Sequence, residues 1–144
     1  MWMHCLLAKP MRSWCTKPTI MKYLIWVIAE IVLVFVLLSL PGSTFTYRAG
    51  WLYLLPIDKI VHVILFGSLA WSIYSFFDNT TIQALKSIRV QAWAMICCIV
   101  YGIAMEYYQK WYVPSRGFEV KDMIADAAGV LFALPLYQLW KKRQ

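Results

Sequence analysis

Four stretches of this chain are each long and apolar enough to cross a lipid bilayer, which needs about 20 mostly apolar helical residues. The first runs from Met21 to Leu40 and is ended by Pro41-Gly42-Ser43-Thr44. The second runs from Asp58 to Phe77, opened by Pro56 and closed by Asp78-Asn79-Thr80-Thr81. The third covers about Ile88 to Tyr108, and the fourth about Val120 to Trp140, stopping at Lys141-Lys142-Arg143. Inside a bilayer every backbone N–H and C=O must be satisfied within the segment, so such runs are helices. The sequence therefore predicts an all-α fold, a four-helix transmembrane bundle. With 62% hydrophobic and only 15% charged residues, the 144-residue chain has too little polar surface for a soluble domain of its size. Connections of about ten to seventeen residues leave no room for a second domain, so residues 21–144 read as one four-span unit. Pro135 lies within the last span, where a membrane helix tolerates it with a kink.

The charges orient the bundle rather than mark a partner. A net charge of +7 could point to nucleic acid, but the basic residues lie between the apolar runs and form no stripe. Nine of them collect on one side: Lys9, Arg12, Lys17 and Lys22 before the first span, Lys86 and Arg89 between the second and third, and Lys141, Lys142 and Arg143 after the fourth. Five, Arg48, Lys59, Lys110, Arg116 and Lys121, fall on the other. By the positive-inside bias both termini face the cytoplasm. No small-x-small cleavage site follows the first span, so it reads as retained rather than as a signal peptide. Residues 1–20 carry no apolar run and read as a disordered tail or an extension ahead of a natural start at Met21-Lys22. Cys5, Cys15, Cys97 and Cys98 have no metal or redox spacing, and the adjacent pair reads as small packing residues.

On this topology the ionisable residues converge at the outer end of the bundle. Asp58, Lys59 and His62 open the second span, Glu106 and Gln109 close the third, Arg116 and Glu119 lie in the following loop, and Asp122 and Asp126 open the fourth. Asp58 and His62, four apart, share a helix face with Phe66 below them; Asp122, Asp126 and Gly129 share another, the glycine allowing a neighbouring helix to approach. Gly102 lies one turn deeper than Glu106. Four helical residues rise about 6 Å. The spacing thus predicts an outer layer of Asp58, Lys59, Gln109 and Asp122 over a deeper layer of His62, Glu106 and Asp126, with Arg116 above both. Duller readings exist: Asp58 and Asp122 sit where helix N-caps belong, and Lys59 can snorkel to the interface. Glu106 and Asp126 are harder to dismiss, because an ionised group at the bilayer centre costs about 2.5 to 3.5 kcal/mol even on the mildest scale. They need partners, and His62, Lys59 and Arg116 are at hand. Glu30, near the middle of the first span, has no charge at its depth and is expected to be protonated or hydrogen-bonded to a group such as Tyr101 or Gln91.

Asp58-Lys59-x-x-His62, Tyr101-Gly102-x-x-x-Glu106-x-x-Gln109, Arg116 and Asp122-x-x-x-Asp126-x-x-Gly129 together resemble the VanZ-like family of small bacterial membrane proteins. The resemblance covers about Asp58 to Leu136 and leaves out the first span. It implies a multi-pass protein of the bacterial cytoplasmic (inner) membrane, in a family whose founding member is associated with low-level resistance to the glycopeptide teicoplanin. The family usually carries Asn where this chain has Asp126, which adds an acidic group to the deeper layer.

Three functions compete. The first is a site that binds or modifies an envelope lipid or glycan headgroup, with His62, Glu106 and Asp126 as an acid–base group and Asp58, Lys59, Gln109, Arg116 and Asp122 holding the ligand. Lys59 and Arg116 would take a phosphate or carboxylate. The second is a non-enzymatic accessory protein whose polar cluster locks the helices together, or an antibiotic-shielding factor. The third is a small proton- or ion-coupled carrier acting as an oligomer. The expected partners are membrane lipid and an envelope lipid, glycan or glycopeptide, with no nucleic acid. No cofactor motif is evident. The His and carboxylates could hold a divalent cation, although no pair spaced as His-x-x-x-His supports it. Neither Ser68 nor Ser115 has a nucleophile elbow or a base.

Overall fold

A computed structural model describes residues 18–41, 57–114 and 116–143. Four long helices follow one another: α1 (Pro18–Leu38), α2 (Ile57–Asn79), α3 (Ile88–Tyr112) and α4 (Val120–Lys141), with a 3₁₀ turn at Gln83–Lys86 before α3. No strand occurs among the described residues. All four helices are long and apolar enough to span a membrane. α1 begins at Pro18, so the last three residues of the expected tail are helical, while residues 1–17 with Cys5 and Cys15, the first connection with Arg48, and Ser115 lie outside the described residues.

The boundaries depart from the sequence expectation where proline intervenes. Pro41 disfavours the α conformation at Leu40, and α1 ends at Leu38, with Ser39 Oγ donating to the Phe35 carbonyl at 2.6 Å. Pro114 acts likewise on Val113, which is extended and closes α3 at Tyr112, one turn beyond the expected end. Pro135 sits inside α4, which continues past it to Lys141.

The helices run up and down, so α2 and α4 are parallel and form the central interface of the bundle. Lipid tails are as apolar as leucine, so helix association relies on close packing and polar contacts rather than on hydrophobic burial. Gly129 supplies the closest packing: a Cβ there would overlap the Val63 carbonyl oxygen and stand 3.0 Å from the Gly67 nitrogen. A Cβ at Gly67 would meet nothing nearer than 3.5 Å. Below this crossing, Trp71, Tyr74, Tyr137 and Trp140 stack along the same seam. At its far end Lys141 Nζ and the Tyr137 hydroxyl both donate to the Asp78 carboxylate. α1 buries only Val34 and Leu38 fully and exposes most of its apolar side chains, as a peripheral, lipid-facing helix does.

Two expectations about interior residues change. Glu30 accepts a hydrogen bond from Ser68 Oγ at 3.2 Å. Tyr101 donates instead to the Ile31 carbonyl and Gln91 to the Lys86 carbonyl, so neither serves Glu30. Of the adjacent cysteines, Cys98 packs in the core while Cys97 is exposed on the outer surface of α3.

The asymmetry between the two glycines is testable. Gly129→Ala is expected to cost about 1–3 kcal/mol through overpacking against α2 backbone. Gly67→Ala is expected to leave stability unchanged or raise it slightly, because alanine favours the helix. Thermal midpoints of the two variants in detergent check the difference; equal effects would overturn the assignment of Gly129 as the contact point.

Candidate functional site

The crossing at Gly129 brings the first two turns of α2 and α4 side by side. One turn above it, His62 Nδ1 lies 2.8 Å from Asp126 Oδ1, and both side chains are sealed from solvent, at 0% and 1% exposure. With the carboxylate as acceptor, Nδ1 carries the proton and donates, leaving Nε2 as the free lone pair. Phe66, four residues on, closes the face beneath His62 and is fully buried. From α3, Gly102 makes room for Asp126: a Cβ at this glycine would stand 2.7 Å from Asp126 Oδ2. One turn above Gly102, Glu106 is fully buried and accepts the Glu119 backbone N–H on Oε2 at 3.2 Å.

A second layer covers this one. Lys59 Nζ bridges Asp122 Oδ1 at 2.9 Å and Glu119 Oε2 at 2.8 Å. Gln109 Nε2 donates to the Leu38 carbonyl at 2.9 Å, tying α3 to an orphan C=O at the end of α1. Arg116 Nη2 stands 3.5 Å from Asp58 Oδ1. The structure therefore brings all eight candidate residues to one end of the bundle, with Asp58, Gln109 and Asp122 each about one helical turn above His62, Glu106 and Asp126.

Several roles weighed from the sequence are reassigned. α4 begins at Val120 after Glu119, so Asp122 lies within the first turn and spends its carboxylate on Lys59. Lys59 accordingly makes a two-acid bridge rather than snorkelling freely. Glu106 is met by a backbone N–H, while Lys59 and Arg116 pair in the layer above.

Between the layers and the end of α1 is a cavity of about 230 Å³. Leu37, Leu38, Ile57 and Val61 form its apolar side, and Asp58, Gln109, Arg116, Glu119 and Asp122 its polar side. The cluster holds five carboxyl groups against two permanent cations, an acidic excess within a protein of net charge +7.

The sequence profile described as VanZ/LLP1 matches residues 5–141, nearly the whole chain. The chain belongs to the VanZ/LLP1 family. No curated protein and no solved structure matches it. The VanZ/LLP1 match begins well ahead of Asp58 and takes in the first span, which the motifs alone left out.

Glu119 is the site residue that motif reading did not single out. Its backbone serves Glu106 and its carboxylate serves Lys59, so it couples the two layers from the last residue before α4. Its position three residues before Asp122 is the signal that could have found it. Gly67 likewise passes unnoticed beside Gly129, since a lone glycine in an apolar run does not reveal which way it faces.

The Lys59 ammonium beside Glu119, at the mouth of the cluster and ahead of the span, holds the Glu119 carboxyl below its ordinary value of 4.5. A depressed folded value means the contact stabilises the fold above about pH 4.5 and is lost as pH falls through the folded value. Glu119→Gln should therefore lose stability less steeply than the wild type between about pH 5 and pH 3. Thermal midpoints across that range in detergent would show it, and parallel curves would count against the pairing.

Proposed function

We propose that this VanZ/LLP1 protein sits in the bacterial cytoplasmic membrane with both termini inside, and that its site end faces outward to bind or modify the headgroup of an envelope lipid or glycan. The observation that carries this reading is the amphipathic cavity over a sealed polar layer. Its apolar side suits the glycerol or first methylenes of an amphiphile, and its polar side suits hydroxyl, amine or phosphate groups. Arg116 presents a guanidinium fork to a phosphate or carboxylate. The carboxylates of Asp58, Glu119 and Asp122 favour hydroxyl and ammonium donors, so a zwitterionic or glycosylated headgroup fits better than a purely anionic one.

Beneath the cavity, His62 and Asp126 form a pair in which the carboxylate orients the imidazole. Such a pair can accept or release a proton at a headgroup hydroxyl, with Glu106 as the complementary acid. This is the chemistry that would turn binding into modification. Removal of a lipid or glycan target from the reach of a glycopeptide would connect it with teicoplanin-type resistance.

A second reading, the polar lock, is favoured by the Gln109 bond to the Leu38 carbonyl, which ties α3 to α1, and by the His62–Asp126 contact, which ties α2 to α4. The two readings part on one comparison. His62→Ala leaves a buried carboxylate without its partner and is expected to cost about 3–5 kcal/mol under either reading. Arg116→Ala, which removes the partner of Asp58 at the cavity wall, should lower the thermal midpoint less than His62→Ala while lowering the retention of co-purifying envelope lipid at least about tenfold, a change of about 1.4 kcal/mol. Native mass spectrometry of both proteins measures that retention. Unchanged retention with Arg116→Ala favours the lock. A C-terminal fluorescent-protein fusion checks the orientation: fluorescence is expected, and its absence would reverse the bundle.

A further inference from the structure

We propose that His62, Glu106 and Asp126 form a binding site for one divalent metal ion of the zinc class. The inference rests on the sealed triad, the three residues to which the headgroup reading gives proton transfer, and is independent of headgroup binding in the cavity above.

One ligand atom from each of the three residues lies within 4.8 Å of the other two, and all three side chains are buried. They come from three helices, α2, α3 and α4, so no local sequence spacing produces them. That is why a search for His-x-x-x-His pairs passes over the site. In the closest pair, His62 Nδ1 and Asp126 Oδ1 at 2.8 Å, the ring proton can pass from Nδ1 to Nε2, which frees the Nδ1 lone pair and Asp126 Oδ1 as two ligands for a metal ion.

The second observation is the state of the remaining carboxylate oxygens. Glu106 Oε1 and Asp126 Oδ2 are both buried and have no hydrogen-bond partner among the described residues. Buried polar atoms are nearly always satisfied, so two open oxygens on fully buried acids in one cluster call for a cation. Two carboxylates with a neutral imidazole carry a formal charge of about −2, which a divalent ion balances.

The donor set narrows the metal. One nitrogen and two carboxylate oxygens suit a four-coordinate ion with three protein ligands and one open position. Magnesium and calcium favour all-oxygen sites and keep several waters or take six to eight ligands, so the imidazole counts against them. Asp58, Gln109 and Asp122 line the cavity about one turn above the triad, and this is the side from which an exchangeable fourth ligand would come.

The full-length protein in detergent, stripped with a chelator, reloaded with Zn²⁺ and dialysed, tests the site by metal analysis. One equivalent per chain is expected for the wild type and for Asp78→Asn, at the opposite end of the bundle, with affinity lowered at least about tenfold in Glu106→Gln. Co²⁺ in place of Zn²⁺ should give nitrogen–oxygen ligand-field bands without thiolate charge transfer. The thermal midpoint of the wild type should rise with Zn²⁺, which reads the site even if a variant fails to fold. Substoichiometric zinc in the wild type, equal zinc in Glu106→Gln, thiolate bands, or an unmoved midpoint would each overturn the proposal. Lipid retention measured on the same metal-free protein reports the headgroup reading separately.

Discussion

The backbone contact of α2 with α4 at Gly129 is the constraint on which the rest of the bundle depends. A side chain at Gly129 would collide with the Val63 carbonyl, and pushing the helices apart there would also separate the turn above. His62 and Asp126 sit on that turn, and their 2.8 Å contact leaves no slack for wider packing. The glycine therefore does more than pack. Because α2 and α4 are parallel, it sets side by side two helix N-termini, whose positive dipole ends favour the carboxylates of Asp58 and Asp122 in their first turns. Glu106 and Gln109 approach from the opposite direction, near the C-terminal end of α3. Glu106 thus lacks that dipole support and takes its hydrogen bond from the Glu119 backbone instead.

A membrane makes this arrangement both costly and durable. His62, Glu106 and Asp126 lie about 7 to 9 Å in from the ends of their helices, where the hydrocarbon begins to compete with the interface. Groups placed there cannot find water if the bundle opens, so each depends on the others remaining in place. The far end of the same seam uses a milder device. Asp78, Tyr137 and Lys141 form a partly exposed cluster at the helix ends, which water can rehydrate. The two polar ends of the α2–α4 interface are thus unequal: one is a surface anchor, the other a sealed site.

Much of the fold was legible in the sequence because span length and helical spacing are one-dimensional quantities. Four runs of bilayer length could hardly be anything else, and the four-residue spacings of Asp58 with His62 and Asp122 with Asp126 fix shared faces. Rotation about each helix axis is different. In a soluble protein the apolar stripe marks the buried face, but in a bilayer both the packed and the lipid-facing sides are apolar, so α1 gives almost no phase. Glu30 shows the consequence: it is hydrogen-bonded, as its isolation in the span requires, but only the folded bundle shows that its face meets Ser68 rather than Tyr101 or Gln91. The helix ends moved for local reasons, Pro41 and Pro114 acting on the residues before them. The pairing of Lys59 with Glu119 depends on how the loop before α4 folds back, which no periodicity encodes.

Asp126 is where these considerations meet. An asparagine, the residue usual at this position in the family, could also accept a hydrogen bond from His62 Nδ1, so the bundle does not need a carboxylate for geometry alone. What the acid adds is charge. It also leaves a second oxygen against Gly102, where a side chain would have excluded it. With Glu106 on the other flank, the imidazole lies between two carboxylates. Such a pocket draws in positive charge, whether that charge arrives as a proton or as a metal ion. Asp126 adds a third carboxyl to the formal acidic excess of the cluster, within a protein of net charge +7.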